Sequence, residues 1–182
     1  RRLPRAIKPE ESEAILRAVQ KQPAAKSPRL EVAHLRDMAL IHALRCTGAR
    51  ISELLGANVE DLDMRDRTLR VVGKGNKERM VYFDQRGWKA LKSYVDARSV
   101  LHLIAKGKTT PLFSRHNRGA GKNLLRLTPH GARLALWHYV KQAGLRSKVT
   151  PHTFRHAFAT AVLEKTGDLA ATQDLLGHAS PA

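Results

Sequence analysis

The chain has 182 residues, of which 33 are Lys or Arg against 16 Asp or Glu, so its formal net charge is +17. A single cysteine excludes an internal disulfide framework, the apolar stretches are too short for a membrane span, and 5% aromatic residues are too few for a single-strand stacking platform. We therefore expect a folded, soluble, cytoplasmic protein with a polyanionic partner, duplex DNA first and an anionic membrane surface second.

The first 45 residues predict two helices after a basic lead-in. We interpret residues 1–9 as the stub of a linker. Pro9 and Glu10 then predict a helix that runs to about residue 21, because proline suits the first turn and acids suit the positive end of the helix dipole. From 31 to 45 the apolar side chains recur at a spacing that predicts a buried helix: Leu35, Met38, Leu40, Ile41 and Leu44.

The next residues end that helix and start another. Gly48 is a predicted helix end, and a short helix beyond it would place Arg50 near an N-terminus with Glu53 one turn further along the same face. A glutamate at that spacing would stiffen the arginine. The alternative is an ordinary surface ion pair, worth roughly a few tenths of a kcal/mol.

Residues 61–84 predict the β structure of the chain. Three short strands are expected, at 61–64, 68–72 and 79–83. With the surrounding helices they give a mainly α fold with a small three-stranded antiparallel β-sheet, an α+β class. The turn at 73–79 lacks the spacing of a nucleotide-binding loop. It either presents Lys74 and Lys77 to a ligand or is a solubilising turn.

The second half predicts more helices, separated by one long basic loop. The helices are expected at 85–102, at 129–141, from 151 onward, and at 169–176 with Gly177 closing the last one. The loop spans residues 105–123. A loop of that length inside a compact domain is usually functional or disordered.

The helix that starts at Pro151 carries an informative pair of side chains. His152 and Arg155 are three residues apart and share one face, at the helix end whose dipole favours anions. Taken alone, such a pair is more often a surface histidine beside a solvated charge. His152 and His156 have the spacing of a zinc pair, but no cluster of Cys or carboxylates supplies further ligands, so we expect no metal.

Four motifs stand in order along the chain. They are Thr-Gly-Ala-Arg-Ile-Ser-Glu-Leu at 47–54, Gly-Lys-Gly-Asn-Lys-Glu-Arg at 73–79, His-Thr-Phe-Arg-His-Ala-Phe-Ala-Thr at 152–160, and Leu-Leu-Gly-His at 175–178. In this order they resemble the arginine box, the lysine hairpin, the H-x-x-R box and the histidine box of the tyrosine recombinases, the phage integrase family. Within that family the chain resembles the catalytic domain of the Xer-like branch.

The resemblance implies the tyrosine recombinase catalytic-domain fold and the activity of a site-specific DNA recombinase or integrase. Family members attack a phosphodiester with a tyrosine hydroxyl, which leaves a 3′-phosphotyrosine and a free 5′-hydroxyl. That tyrosine is expected nine residues after His178, at position 187, beyond Ala182. The chain's own tyrosines do not follow the histidine box and are expected to be ordinary core or surface aromatic residues: Tyr82, Tyr94 and Tyr139.

The resemblance also assigns roles to individual residues, without any cofactor. Arg50 and Arg155 would hold the non-bridging oxygens of the phosphate. Lys74, in preference to Lys77, would protonate the leaving 5′-oxygen. The other roles that it implies are proton transfer from the nucleophile by His152 and a hydrogen bond to the phosphate from His178. Orientation of Arg50 by Glu53 is our own interpretation of their spacing along the predicted helix.

The resemblance further predicts the domain organisation. We expect residues 10–182 to be the catalytic DNA breaking and rejoining domain, without the N-terminal core-binding domain and the C-terminal tail. This piece should be a monomer that binds duplex DNA without cleaving it, whereas full-length members act as homo- or hetero-tetramers on DNA. Two alternatives stay open: a DNA-binding-only module of a degenerate recombinase, and a type IB topoisomerase. We expect no membrane partner, because no amphipathic helix carries aromatic anchors.

Overall fold

The computed structural model describes residues 6–22, 25–103 and 108–177. Its helices are α1 (Pro9–Gln20), α2 (Pro28–Thr47), α3 (Ile51–Gly56), α4 (Gln85–Ala97), α5 (Pro129–Gln142), α6 (Pro151–Thr166) and α7 (Leu169–Leu176). Its strands, β1 (Leu62–Asp63), β2 (Thr68–Val72) and β3 (Glu78–Tyr82), form one antiparallel sheet. The expected α+β class is confirmed. Across these ranges, no helix has both the length and the apolar character that crossing a bilayer requires.

Helix α2 is the centre of the core. Ser27 caps its start by accepting the Leu30 N–H, Pro28 is its first residue, and it ends at Gly48, whose φ of 61° lies in the left-handed region. All side chains from 39 to 44 are buried. A helix buried all round needs neighbours on every side, and α2 packs against α1, α4, α5 and α6. It therefore fixes where the site-bearing α6 lies.

The sheet places β2 between β1 and β3. Leu69, Val71 and Val81 are buried, and the register pairs Val71 with Arg79. Because side chains alternate along a strand, Arg79 shares the inward face with Val81. A charged side chain on that face needs a partner within the protein.

The segment 105–123 was predicted to be a long basic loop, and its described part packs against the core. Leu112 and Phe113 are fully buried, and the Tyr94 hydroxyl accepts the Ser114 N–H at 3.1 Å. Isolated bridges join this part of the chain to other segments, Pro111 to Asn58 and Ser114 to Arg126. Apolar burial therefore orders a segment that has almost no regular structure.

Several helix and strand boundaries differ from the sequence expectation, most of all at the end of α4. The helix expected over 85–102 ends at Ala97, where a 3₁₀ turn begins at Arg98. The buried Arg98 donates from Nη1 to the carbonyls of Pro111 and Leu112 at 2.7 and 2.9 Å, which ties the turn to the following segment. At the N-terminus Ile7 is buried, and its N–H donates to the Thr153 carbonyl at 3.3 Å.

A substitution in α2 tests the packing of the core. Leu44 is 1% exposed, whereas Leu30 on the same helix is 42% exposed. We expect Leu44→Ala to lower the free energy of unfolding by about 2–5 kcal/mol, because apolar burial is lost and a cavity remains. The matched control, Leu30→Ala, should cost about 0.5 kcal/mol or less. Denaturant unfolding followed by circular dichroism measures both, and equal losses would contradict the central position of α2.

Candidate active site

The arginine box lies where α2 gives way to α3. A Cβ at Gly48 would come 2.3 Å from Phe158 Cδ1, so the backbone here passes directly against α6, and the positive φ also favours glycine. The Thr47 hydroxyl accepts the Ala49 N–H at 3.1 Å and shapes the turn. Arg50 is the N-cap of α3, and its side chain is 33% exposed. This close approach places Arg50 next to α6.

The carboxylate of Glu53 is shared by two arginines. Its Oε2 accepts the Arg50 backbone N–H at 2.7 Å and its Oε1 accepts Arg50 Nη1 at 2.8 Å. Arg79 Nη2 donates to Oε2 at 2.7 Å from β3. The Glu53 side chain is 2% exposed, so these three bonds offset the desolvation of its charge.

The lysine hairpin joins β2 to β3. The Gly73 N–H donates to the Lys77 carbonyl at 2.8 Å and closes its base. A 3₁₀ turn over Lys74–Asn76 forms the tip, where Gly75 has a φ of 73°. A Cβ at Gly73 would lie 3.2 Å from Glu53 Oε1, so the hairpin base stands next to the shared carboxylate. Lys74 and Lys77 both have exposed side chains.

The H-x-x-R box forms the first turns of α6, which starts at Pro151 as expected. Arg155 is buried, and its Nη1 and Nη2 donate to the carbonyls of Gly48 and Leu176, each at 2.7 Å. His152 has an exposed side chain. The two residues therefore differ in their surroundings: Arg155 turns inward, toward the arginine box and the end of α7, while His152 faces solvent.

Burial and mutual repulsion act on the inward-facing arginines. Burial, followed by the positive charge of Arg50, lowers the pKa of Arg155 to about 10, while the charge of Glu53 acts in the opposite direction. Burial also lowers the pKa of Arg79, against the attraction of Glu53. Arg155 stays protonated at neutral pH. It uses two of its five N–H groups on carbonyls, and the other three make no hydrogen bond to another described residue.

A cavity of about 480 Å³ lies between the arginine box and the lysine hairpin. Four cationic side chains line it against three carboxylates: Arg50, Lys74, Lys77 and Arg79 against Glu53, Glu78 and Asp174. Gly177 forms part of its wall. Such a cavity, with preorganised N–H donors and an excess of positive charge, can bind an anion and stabilise developing negative charge.

The cavity contains some of the residues expected from the sequence and lacks others. Arg50, Glu53 and Lys74 line it together, and Lys77 lines it as well, whereas His152 is not among its lining residues. Arg155 does not line it either, but its guanidinium binds the carbonyls of Gly48, two residues before Arg50, and of Leu176, one residue before Gly177. The expected site residue His178 lies outside the described residues. In the part of the chain that the structure describes, no three His, Cys, Asp or Glu side chains group as a metal site would require.

The chain's own tyrosines lie elsewhere. Tyr94 is buried, with its hydroxyl 2.9 Å from His116 Nε2. Tyr139 is also buried and donates to Asp37 Oδ2 at 3.3 Å. Tyr82 is exposed on β3, and none of the three lines the cavity. Tyr94 and Tyr139 are core aromatic residues with satisfied hydroxyls, and Tyr82 is a surface aromatic residue, as expected.

Sequence reasoning gave no role to Arg79. Arg79 is the last residue of the lysine hairpin motif. In the structure it contacts Glu53 and also donates from Nη1 to the Leu175 carbonyl at 3.3 Å. A signal for it was available, since Arg79 and Val81 are two residues apart on one strand and must share a face. A charged residue in line with buried apolar residues indicates a buried ionic partner.

Comparison with known proteins agrees with this architecture. The phage integrase family model matches residues 5–182. The tyrosine recombinase XerC of Thermodesulfovibrio yellowstonii is 41% identical over 147 residues, 80% of this chain and 47% of that protein. The tyrosine recombinase XerD of Mycobacterium leprae is 38% identical over 182 residues, 99% of this chain and 55% of that protein. The chain thus spans about half the length of these relatives.

The fold is also similar to that of solved recombinases. The XerH site-specific recombinase bound to difH substrate, in its pre-cleavage complex, has a TM-score of 0.78 at 27% identity, covering 98% of this chain and 48% of that one. The expected tyrosine recombinase fold is therefore confirmed. Since the family model extends over nearly the whole chain and these relatives are 41% and 38% identical to it over the aligned residues, the chain belongs to the phage integrase family.

Proposed function

We propose that the protein containing this chain is a site-specific DNA recombinase, and that residues 10–182 are its catalytic domain. The observation that carries the proposal is the cationic cavity in which buried Glu53 fixes Arg50 beside exposed Lys74. The relatives support it, because they are named tyrosine recombinases and the XerH structure contains a DNA substrate. Duplex DNA is the proposed partner.

Binding of the scissile phosphate is the proposed role of Arg50 and Arg155. Arg50 has one Nη held by Glu53 and a partly exposed side chain, so its remaining N–H groups can meet non-bridging oxygens. Arg155 has three N–H groups beyond those that bind carbonyls. Two fixed guanidinium groups can stabilise the charge of the transition state, because their donors need no reorganisation as it forms.

Proton transfer is the proposed role of Lys74 and the histidines. Tyrosine attack forms an O–P bond and breaks the bond between phosphorus and the 5′-oxygen, which must gain a proton as it leaves. Lys74 at the hairpin tip is the proposed donor, and Lys77 is the competitor in the same cavity. His152 would accept the proton of the nucleophile, and His178 would hydrogen-bond the phosphate.

Two rival functions lead to different outcomes. A type IB topoisomerase is disfavoured because the relatives found are named recombinases. It would relax supercoiled DNA without a specific site. A binding-only module would keep the basic surface and form no covalent intermediate.

Trapping a covalent intermediate tests the proposal directly. On a nicked duplex that carries its site, the full-length protein should form an adduct that survives denaturation, because the cleaved fragment diffuses away and cannot religate. Mass spectrometry should locate the adduct at a tyrosine nine residues after His178. If that tyrosine is present and no adduct forms on duplexes that the protein binds, strand cleavage is contradicted. A different residue at that position would favour the binding-only module.

Substitution of the two arginines tests phosphate binding. In the full-length protein, Arg50→Ala and Arg155→Lys should each lower the rate of strand cleavage by about 10²–10³-fold, with a smaller effect on DNA affinity. The measurement is single-turnover cleavage at saturating DNA. Arg65→Ala, which removes the same charge from an exposed turn, is the matched control and should cleave normally. Equal losses of cleavage and affinity would mean that the arginines only clamp the DNA.

Salt dependence tests the nature of the DNA interface. Each phosphate neutralised by Lys or Arg contributes about −0.9 to the slope of log affinity against log salt concentration. We expect a slope of about −4 or steeper for this chain on a labelled duplex, measured by fluorescence anisotropy. A slope near zero would exclude an interface dominated by the DNA backbone.

A further inference from the structure

Arg79 connects three parts of the cavity. It extends from β3, at the foot of the lysine hairpin, and its two Nη atoms donate to Glu53 and to the Leu175 carbonyl. We infer that Arg79 is a positioning residue, which holds the hairpin so that Lys74 reaches the leaving 5′-oxygen of a phosphate bound by Arg50. This inference rests on the role proposed above for Lys74.

The hairpin tip has few other attachments. Among the contacts between described residues, Lys74, Asn76 and Lys77 have no side-chain hydrogen bond or ion pair. The Gly73 N–H bond to Lys77 closes the hairpin base without joining it to another element. Strand pairing sets the register of β3. Because β1 pairs only with Thr68 and Leu69, the end of the sheet that carries the hairpin is a two-stranded ribbon, which can bend and twist more than the three-stranded part. Arg79 is therefore the described side chain that links the foot of the hairpin to the arginine box.

The residues around Arg79 also make contacts that do not depend on Arg79. Arg50 keeps two bonds to Glu53 that do not involve Arg79, one from its N–H and one from Nη1. The carbonyl of Leu176 is held by Arg155, so the end of α7 has its own attachment to α6. Loss of Arg79 should therefore displace the hairpin more than it displaces the phosphate-binding arginines.

The packing around Arg79 favours arginine over lysine. A Cβ at Gly177 would lie 2.7 Å from both Cδ and Nε of Arg79, so the side chain runs directly beneath the end of α7. The planar guanidinium serves two acceptors at once, a carboxylate and a carbonyl. A lysine ammonium is a point charge on a flexible stem and lacks this fork. A lysine at position 79 could pair with Glu53, but it would lack the orientation that the arginine gains from binding two acceptors at once.

The chemistry of the leaving group makes this inference testable. In the proposed cleavage step, the tyrosine oxygen forms a bond to phosphorus, the bond from phosphorus to the 5′-oxygen breaks, and Lys74 transfers its proton to that oxygen. When sulfur replaces the 5′-oxygen, the leaving thiolate needs no proton, because a thiol has a pKa of about 8.5. A defect in proton delivery should then disappear, and a defect in phosphate binding should persist.

The experiment compares five variants of the full-length protein on two nicked duplexes, one with the natural 5′-oxygen and one with 5′-sulfur at the scissile position. We expect Arg79→Ala to lower single-turnover cleavage of the oxygen substrate by about 10²-fold, as for a misplaced reacting group. On the sulfur substrate it should cleave within about fivefold of the unmodified protein. Lys74→Ala should behave in the same way, and Arg50→Ala should stay slow on both substrates.

The outcomes distinguish failure of the inference about Arg79 from failure of the proposed role of Lys74. If sulfur restores Lys74→Ala and not Arg79→Ala, Arg79 does not act through the lysine and the inference is wrong. When sulfur fails to restore Lys74→Ala, the proposed role of the lysine itself is wrong. Arg70→Ala is the matched control, since it removes an arginine from the exposed face of the same sheet that pairs with Asp61 and Glu78. It should cleave both substrates normally.

A conservative variant guards against a simple folding defect. Arg79→Lys keeps a charge beside Glu53 and should recover part of the cleavage rate on the oxygen substrate, with thermal stability near that of the unmodified protein. If Arg79→Ala and Arg79→Lys lose stability and cleavage in the same proportion on both substrates, the residue has only a structural role and the inference fails.

Discussion

The buried carboxylate of Glu53 is the group on which the rest of the site depends. A carboxylate that is 2% exposed must recover within the fold the hydration that it loses. Its donors come from two places: the N–H and Nη1 of Arg50 at the start of α3, and Nη2 of Arg79 on β3. The carboxylate therefore cannot be buried at low cost unless the helix and the sheet meet. The positions of both arginines follow from folding and do not require a bound ligand.

The same arrangement leaves positive charge in excess around Glu53. Arg50 lowers the pKa of both Arg79 and Arg155 by repulsion, in addition to the larger effect of burial. One carboxylate cannot neutralise three guanidinium groups, so the unliganded fold retains part of their repulsion. A phosphodiester bound among them would relieve it without moving the donors. Under the proposed function, this retained repulsion is stability of the free protein given up in exchange for charge held where a phosphate would bind.

Local signals were sufficient for much of the fold. Pro9, Gly48 and Pro151 mark helix termini that the structure contains, and β2 has the boundaries expected from its composition. The contact between Arg79 and Glu53 could not be predicted in the same way. The two residues are 26 positions apart, and their meeting depends on how the sheet packs against α3. Strand alternation could have indicated that Arg79 faces inward, but it could not have identified the partner.

Several arginines bind backbone carbonyls, so fewer of their N–H groups are free to bind a polyanion although they count toward the net charge. Arg155 donates to carbonyls 107 and 21 residues away, and Arg126 donates to the carbonyls at the end of α3. These contacts satisfy acceptors that helix ends and irregular segments leave open, and no helical period can predict them. The net charge of +17 therefore overstates the number of cations that are free to meet a polyanion. The stronger argument for an anionic ligand is the cavity, where exposed Lys74 and partly exposed Arg50 have no backbone acceptor among the described residues.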